Sequence, residues 1–131
     1  MTHAADQISR MAVAHVAAWT RNRAEDTALM FAPDASISVN GGEPHSGHAE
    51  IIANAQALMD QFTGLVVRCR ETRVAGSRAV LVWTLEGLHT QSGNYVILPG
   101  WQEWELNGDL KVHRSRAFYD VADFERQIAS V

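Results

Sequence analysis

The stretch PGWQEWELNGDLKVHRSRAFYD, residues 99–120, has the pattern of two β-strands joined by a turn. Its Asn-Gly pair stands between runs rich in aromatic and β-branched residues, which is a strong hairpin signal. A two-residue turn would place Gln102 opposite His113, and a four-residue turn would place Gln102 opposite Ser115. Both registers divide the side chains between the two faces of the hairpin in the same way.

The two faces of this hairpin differ in chemical character, because alternate residues of a strand point to opposite sides. One face carries Gln102, Trp104, His113, Ser115, Ala117 and Tyr119. The other carries Trp101, Glu103, Glu105, Val112, Arg114, Arg116 and Phe118. Since the second set can form ion pairs across the strands, we predict that it faces outward and that the first set faces the core. Outward aromatic side chains need cover, and we therefore expect a homodimer that packs on Trp101, Arg114, Arg116 and Phe118.

The N-terminal part of the chain has the 3.6-residue period of a helix. A first helix over about residues 4–21 has an apolar face that carries Ile8, Met11, Ala12, His15 and Trp19. A histidine on such a face is either a core side chain with a hydrogen-bond partner or a group that faces a pocket. In the second case the imidazole suits proton transfer near neutral pH.

Two capping signals follow the first helix. Asn22 and Glu25 resemble a capping box, which predicts a second, short helix through Phe31 that Pro33 ends. Ser46 is predicted to cap a third helix. The apolar positions of that helix keep helical spacing and are Ile51, Ile52, Ala55, Leu58, Met59 and Phe62.

The period changes to that of strands from residue 64 onward. The predicted strands cover residues 65–75, 79–89, 94–106 and 110–119, after a short strand over residues 35–39. Asp120 is predicted to cap a last helix through residue 128. Helices followed by a long antiparallel meander indicate an α+β fold. We expect one domain, residues 1–131, in which a curved antiparallel sheet wraps around the N-terminal helices and forms a cone with an internal pocket.

Composition excludes several classes of function. The chain has 131 residues and a net charge of −4, without a run of Lys or Arg, which argues against nucleic acid as a partner. Cys69 is the single cysteine, so an internal disulfide is impossible and a reducing compartment is favoured. The N-terminus lacks the features of a signal peptide, and no apolar run approaches the length of a membrane span. We therefore predict a cytoplasmic protein with no membrane partner.

The stretches FAPDASISVNGGEPHSG, residues 31–47, and PGWQEWELNG with RAFYD resemble the nuclear transport factor 2-like superfamily. The SnoaL-like polyketide cyclases and the ketosteroid isomerases are the branches that the chain resembles most. The resemblance covers nearly the whole chain and implies a curved sheet around the helices, a deep apolar pocket and commonly a homodimer. It does not imply one activity, because this fold serves enzymes, binding modules and assembly domains alike.

The ketosteroid isomerases place catalytic groups at three positions that the resemblance maps onto this chain. Their base, an Asp, corresponds to Val39, which cannot move a proton. The Tyr and the protonated Asp of their oxyanion hole correspond to His15 and Gln102. Both of these side chains can donate a hydrogen bond, so the resemblance implies a retained polar pair with altered chemistry.

Two related branches also lack their usual groups here. The cyclases and epoxide hydrolases place an Asp where Ala117 stands, within RAFYD. The epoxide hydrolases further need an Arg and an Asp where Trp83 and Leu85 stand. The usual carboxylates of three enzyme branches are therefore missing from the sequence.

The candidate site combines a polar pair with an apolar lining. His15 and Gln102 are the candidate catalytic groups; Gln102 is either a ligand contact or a structural hydrogen-bond partner of His113 or Ser115. His113 itself either assists catalysis or lies near solvent at the end of the sheet. The predicted lining comprises Trp19, Val39, Phe62, Trp83, Leu85, Trp104, His113, Ala117 and Tyr119. In a hollow cone, core-lining and ligand-lining positions largely coincide.

No metal or cofactor is predicted. His45 and His48 are separated by two residues, but they lie in a Gly/Pro-rich loop with no third ligand implied. Cys69 lies between arginines on a strand without a base partner, so we interpret it as either a structural cysteine or a bystander.

Two functions of different classes remain open at this stage. One is a cofactor-independent isomerase, cyclase or lyase that acts on a small, mostly apolar carbonyl compound, since enolisation needs only a base and a stabilised oxyanion. The other is a non-catalytic domain that binds a small apolar molecule or serves dimerisation. The missing carboxylates favour the second, and the retained pair of hydrogen-bonding side chains keeps the first open.

Overall fold

The computed structural model describes residues 3–129 and confirms the α+β class, with N-terminal helices and a curved, unclosed sheet. The helices and strands have bounds close to those predicted, apart from the differences given below. In chain order the elements are α1 (His3–Thr20), a 3₁₀-helix (Ala24–Ala28), β1 (Phe31–Val39), β2 (His45–Ser46), α2 (His48–Met59), β3 (Phe62–Ala75), β4 (Arg78–His89), β5 (Asn94–Leu106), β6 (Val112–Tyr119) and α3 (Val121–Ala129).

The sheet has the strand order β2-β1-β6-β5-β4-β3. Strands β3 to β6 form the predicted antiparallel meander. Strand β1 lies parallel to β6, with Ile37 opposite Ser115, and this pairing was not predicted. The two-residue strand β2 was also missed; it pairs Ser46 with Ser36 of β1. Local periodicity carries no information about the β1–β6 pair, because its two strands are far apart in the chain.

Residues that face the inside of the sheet form rows across β4, β5 and β6. One row is Ala79, Trp104 and Ser115; the next is Leu81, Gln102 and Ala117; the third is Trp83, Gly100 and Tyr119. Ala79 and Trp104 of the first row pack in a core cluster with Ile8 and Phe31. A second cluster surrounds Leu85 and Leu98, farther along the same strands. The rows that contain Gln102 and Gly100 therefore lie between two packed clusters.

The predicted second helix is wrong in both type and extent. It is a 3₁₀-helix that ends at Ala28, and no side chain forms a hydrogen bond at its N-cap, Arg23. Asn22 adopts a φ of 59° instead of capping. The chain is already in β1 at Phe31, which pairs with Val112 of β6, and Pro33 lies within that strand. Tertiary pairing with β6 thus overrides the local capping pattern.

The third helix is confirmed, but its predicted cap is wrong. Gly47 occupies the N-cap with a φ of 86°, and no side chain caps the helix there. Ser46 lies in β2, and its backbone N–H donates to Glu50 Oε1 at 3.0 Å. Phe62, the last apolar position that we assigned to this helix, is the first residue of β3.

The β5–β6 hairpin adopts neither of the two predicted registers. The loop covers residues 107–111, where Asn107 Oδ1 accepts hydrogen bonds from the N–H groups of Asp109 and Lys111, each at 3.0 Å. Beyond the loop, Gln102 stands opposite Ala117. The hydrogen bonds of the Asn107 side chain stabilise a longer loop than the Asn-Gly signal suggests.

A β-bulge at the start of β6 reverses the predicted faces of two residues. Leu106 is opposite Val112 while Glu105 is opposite Arg114, so His113 is an extra residue in β6. Val112 is fully buried instead of outward, and His113 is exposed instead of inward, 4.0 Å from Glu105. The remaining residues of the hairpin alternate as predicted.

The last helix, α3, is capped by Asp120 as predicted: Asp120 Oδ1 accepts a hydrogen bond from the N–H of Asp123 at 3.1 Å. The side chain of Gln127 binds both the N–H and the C=O of Ile97, each at 2.8 Å. Pairing between β5 and β6 begins only at Gly100. The helix therefore covers backbone groups of β5 that have no partner in β6.

Within residues 3–129, none of the helices has the length and apolar character of a membrane span.

Candidate functional site

A cavity of about 100 Å³ is lined by members of both core clusters and by residues of the rows between them. A small residue in one of those rows leaves room for it, because Ala117, in the row of Gln102, presents only a methyl group. Ala117, the position at which the resemblance places an Asp in related cyclases, thus lies in the cavity wall.

Gly100 determines the position of the Trp83 side chain. The two residues are opposite each other on β4 and β5. A Cβ atom on Gly100 would collide with the six-membered ring of Trp83 and would lie 2.7 Å from the backbone oxygen of Phe118. The indole therefore lies directly over the Gly100 backbone, a common way for an aromatic side chain to cover a glycine in a sheet. In this position Trp83 forms part of the cavity wall.

His15 reaches the cavity from α1 and is 3% exposed. Trp19, one helical turn farther along, donates from Nε1 to His15 Nε2 at 3.4 Å. Because Nε2 accepts this hydrogen bond, we assign the proton of the neutral ring to Nδ1. Within the described residues, Nδ1 has no partner with hydrogen-bonding geometry. The imidazole also contacts Trp104 edge-on and Phe31 at a tilt, with ring centroids 5.6 Å apart in both pairs.

Burial lowers the pKa of His15 from 6.5 to about 4, and the nearby backbone of Thr27 opposes this shift only in part. Desolvation penalises the imidazolium, and no carboxylate among the described lining residues compensates. His15 is therefore a neutral imidazole at physiological pH. A group with so low a pKa is a weak general base at pH 7, but its Nδ1–H remains a hydrogen-bond donor.

Gln102 lies partly buried in the cavity wall and donates from Nε2 to Ser115 Oγ at 3.0 Å. Of the two hydrogen-bond partners predicted for Gln102, the structure therefore shows Ser115 and not His113. The interaction is diagonal, because the residue directly opposite Gln102 is Ala117. One N–H and the carbonyl oxygen of the amide are not engaged in this bond, so the side chain also retains the capacity to hydrogen-bond a ligand.

Four further polar side chains, none of them among the predicted site residues, line the cavity: Thr27, Ser38, Asn54 and Ser115. A signal for Asn54 was present. It lies three residues after Ile51 and four before Leu58, on the apolar face of α2. Thr27 gave no comparable signal in the sequence. In the structure its hydroxyl is buried and donates to the backbone oxygen of Ala24 at 2.7 Å.

The structure brings most of the predicted site residues together. Those that line the cavity are His15, Trp19, Val39, Trp83, Leu85, Gln102, Ala117 and Tyr119. Three predicted residues lie elsewhere. Phe62 packs against His89 and Phe124, Trp104 is buried in the first core cluster, and His113 is on the outer face of the sheet.

The outer face of the sheet carries the predicted ion pairs. Arg116 lies 3.3 Å from Glu103, and Arg114 lies 3.6 Å from Glu105. Trp101 is 42% exposed and stacks on Phe118, with ring centroids 5.2 Å apart and an interplanar angle of 24°. The charged and aromatic side chains thus form one continuous surface on the side opposite the cavity.

The two loop histidines do not converge. His48 Nε2 hydrogen-bonds the backbone oxygen of Phe31 at 2.8 Å, and His45 lies 4.0 Å from Glu50. Among the side chains of residues 4–129, no group of three His, Cys, Asp or Glu is placed to share a metal ion. Cys69 Sγ lies 3.4 Å from the hydroxyl of Thr72.

Comparison with known proteins gives one family and many structural neighbours. The family model described as SnoaL-like domain matches residues 12–114. A sequence comparison with curated proteins gave no significant match.

Three solved structures illustrate the similarity in fold. A candidate SnoaL-like polyketide cyclase from Jannaschia sp. CCS1 has a TM-score of 0.83 at 18% identity, covering 98% of this chain and 92% of that one. A hypothetical protein from Catenulispora acidiphila with a ketosteroid isomerase-like fold, in complex with trimethylamine, has a TM-score of 0.81 at 16% identity, covering 90% and 91%. TerC, co-crystallised with polyporic acid, has a TM-score of 0.77 at 23% identity, covering 92% and 98%.

Proposed function

The chain belongs to the SnoaL-like domain family, and from this membership and its apolar cavity we propose that it binds one small, mostly apolar molecule between the helices and the sheet. The size of the cavity supports this proposal. An apolar cavity of roughly 150 Å³ is sufficient to bind benzene, and the cavity here is of the same order, about 100 Å³. Two structural neighbours, those with trimethylamine and polyporic acid, were solved with small organic molecules.

One observation favours binding over proton abstraction. Four positions at which the resemblance places charged catalytic groups in related enzymes all line the cavity here, and all four are uncharged: Val39, Trp83, Leu85 and Ala117. The four positions therefore converge on one cavity, and none of the residues at these positions can accept a proton or carry a charge. Such a lining retains the ability to bury an apolar ligand, which depends on area rather than on charge.

The catalytic alternative rests on His15 and Gln102, which line the same cavity. Structural neighbours include candidate polyketide cyclases, so a cofactor-independent isomerase, cyclase or lyase is compatible with the fold. In such an enzyme Gln102 would orient a carbonyl group and the Nδ1–H of His15 would stabilise an oxyanion. The low pKa of His15 counts against a role as general base, so we place this alternative second.

Filling the cavity should weaken ligand binding. We expect Ala117→Leu to weaken the binding of benzyl alcohol, a neutral single-ring probe, at least 10-fold, because the added carbons occupy the space of the ligand. Trp19 and Trp83 line the cavity, so tryptophan fluorescence reports occupancy. Ala57→Leu, on the exposed side of α2, is the matched control and should leave the affinity unchanged. Equal affinities for benzyl alcohol in the two variants would contradict the proposal.

We further propose that the outer face of the sheet binds a second copy of the chain. Val82 stands opposite Trp101 in the sheet, and Phe118 stands opposite Trp101 on the other side, so the three form a continuous apolar surface. The glutamates of β5 and the arginines of β6 beside it are opposite in sign, with Glu105 within 3.6 Å of both Arg114 and Arg116. A surface that carries both signs of charge can pair with its own copy across a two-fold axis, as an isologous dimer requires.

A charge at the centre of this surface should prevent dimerisation. We expect the wild-type chain to sediment as a dimer and Trp101→Glu to sediment as a monomer, because two like charges would be buried face to face. Val13→Glu, at an exposed apolar position on α1, is the control and should remain dimeric. A wild-type chain that is monomeric at high concentration would refute this proposal.

A further inference from the structure

Resting on the proposed binding function, we propose that the cavity selects uncharged ligands that carry one hydrogen-bonding oxygen, and that it rejects ammonium and carboxylate compounds of the same shape. This inference concerns the chemical class of the ligand, which neither the family nor the fold determines. It follows from the charges that the cavity lacks and from the polar groups that it retains.

The described lining residues include none with a permanently charged side chain: neither Asp, Glu, Lys nor Arg is among them. The nearest charged groups along β5 and β6, Glu103 and Arg116, belong to the opposite face of the sheet and are paired with each other at 3.3 Å. A charged ligand would therefore lose its hydration without gaining a counter-ion. In an apolar site this cost is large, and it is the reason that buried charges are found paired.

The polar groups of the cavity suit an uncharged oxygen. Gln102 uses one N–H for Ser115 Oγ and retains a second N–H and a carbonyl oxygen. Asn54 of α2 adds a second amide to the same lining. Because an amide both donates and accepts, either side chain can hydrogen-bond a hydroxyl group or a carbonyl group. It cannot neutralise a full charge, for which a formal counter-charge is needed.

A series of probes that differ only in charge tests this selectivity on the wild-type chain at neutral pH. Benzyl alcohol is neutral, benzylamine is a cation and benzoate is an anion, and all three carry a single aromatic ring. We expect the two charged probes to bind at least about 100-fold more weakly than benzyl alcohol. Toluene, which lacks the oxygen, should bind more weakly than benzyl alcohol by about 5-fold, the value of one net hydrogen bond.

Three variants, one of them a control, separate the contribution of the hydrogen bond to the ligand oxygen from the contribution of charge. Gln102→Leu should remove the preference for benzyl alcohol over toluene while toluene still binds, and Gln91→Leu, in an exposed turn, should preserve that preference. Val39→Asp introduces a carboxylate into the lining and should raise the affinity for benzylamine at least 10-fold relative to benzyl alcohol.

The outcomes distinguish this inference from the function on which it rests. Comparable affinities of the wild-type chain for benzylamine or benzoate and for benzyl alcohol would overturn the charge selectivity and leave the binding function intact. Failure of all four probes to bind would overturn the binding function and the ligand class together. Binding of toluene as tight as that of benzyl alcohol would refute the role of the oxygen.

Discussion

Acidification from pH 6.5 to pH 4 is expected to lower the free energy of unfolding through His15 by about 3 kcal/mol. The unfolded chain binds a proton at this residue near pH 6.5, whereas the folded chain binds it only near pH 4. Each pKa unit corresponds to about 1.4 kcal/mol, and between the two values unfolding takes up a proton. The stabilisation that comes from keeping His15 neutral is therefore present above pH 6.5 and is lost as the pH falls toward 4. Below pH 4 the free energy of unfolding no longer changes through this residue.

Urea unfolding at a series of pH values measures this effect, and variants isolate it from the titration of the carboxylates. His15→Leu should lack the loss, so that the difference between its stability and that of the wild type changes by about 3 kcal/mol over the interval. Val13→Leu, at an exposed position on the same helix, is the control and should keep the pH dependence of the wild type. Parallel pH profiles for wild type and His15→Leu would show that His15 is not held neutral by burial.

Gly100→Ala is expected to destabilise the chain by about 1–3 kcal/mol and to displace the Trp83 indole. The added methyl group would collide with the ring of Trp83 and with the backbone oxygen of Phe118. Only the first contact can be relieved by moving a side chain. Since Trp83 forms part of the cavity wall, the same substitution should weaken the binding of benzyl alcohol and shift the tryptophan emission.

Gly108→Ala is the control for this substitution, because a methyl group there would meet nothing within 4 Å. Its stability should remain within about 0.5 kcal/mol of the wild type. In a Trp83→Leu background, Gly100→Ala should cost less than in the wild type, and the cost that remains reports the contact with the Phe118 carbonyl. If Gly100→Ala and Gly108→Ala unfold at the same urea concentration, the proposed packing of Trp83 is wrong.

Much of the fold was predictable because its signals are local. The bounds of β5 match the prediction at both ends, and those of α1 differ by one residue at each end. The alternation of the hairpin also identified Gln102 and Tyr119 as inward and Trp101 as outward. Each of these features follows from the spacing of apolar residues over one or two turns of helix or strand.

The failures have two kinds of cause: contacts between residues distant in the chain, and local irregularities that periodicity does not reveal. The helix that the capping pattern at Asn22 predicts does not extend to Phe31, because Phe31 pairs with Val112 of β6. The face of His113 was reversed by a single bulge, which no residue pattern in β6 announces. Asn54 was overlooked because its role depends on α2 packing over the sheet, although its spacing was visible.

The sequence by itself determined most of the helices and strands and the faces of the hairpin residues other than Val112 and His113. It also determined that Val39, Trp83, Leu85 and Ala117 are uncharged, at positions where the resemblance places charged groups in related enzymes. Only the tertiary structure decided that these positions line one cavity, that Gly100 allows Trp83 to form its wall, and that His15 is neutral there. The physical reason is that periodicity is a property of neighbours along the chain. Cavities and pKa shifts arise instead from burial, which residues far apart in sequence create together.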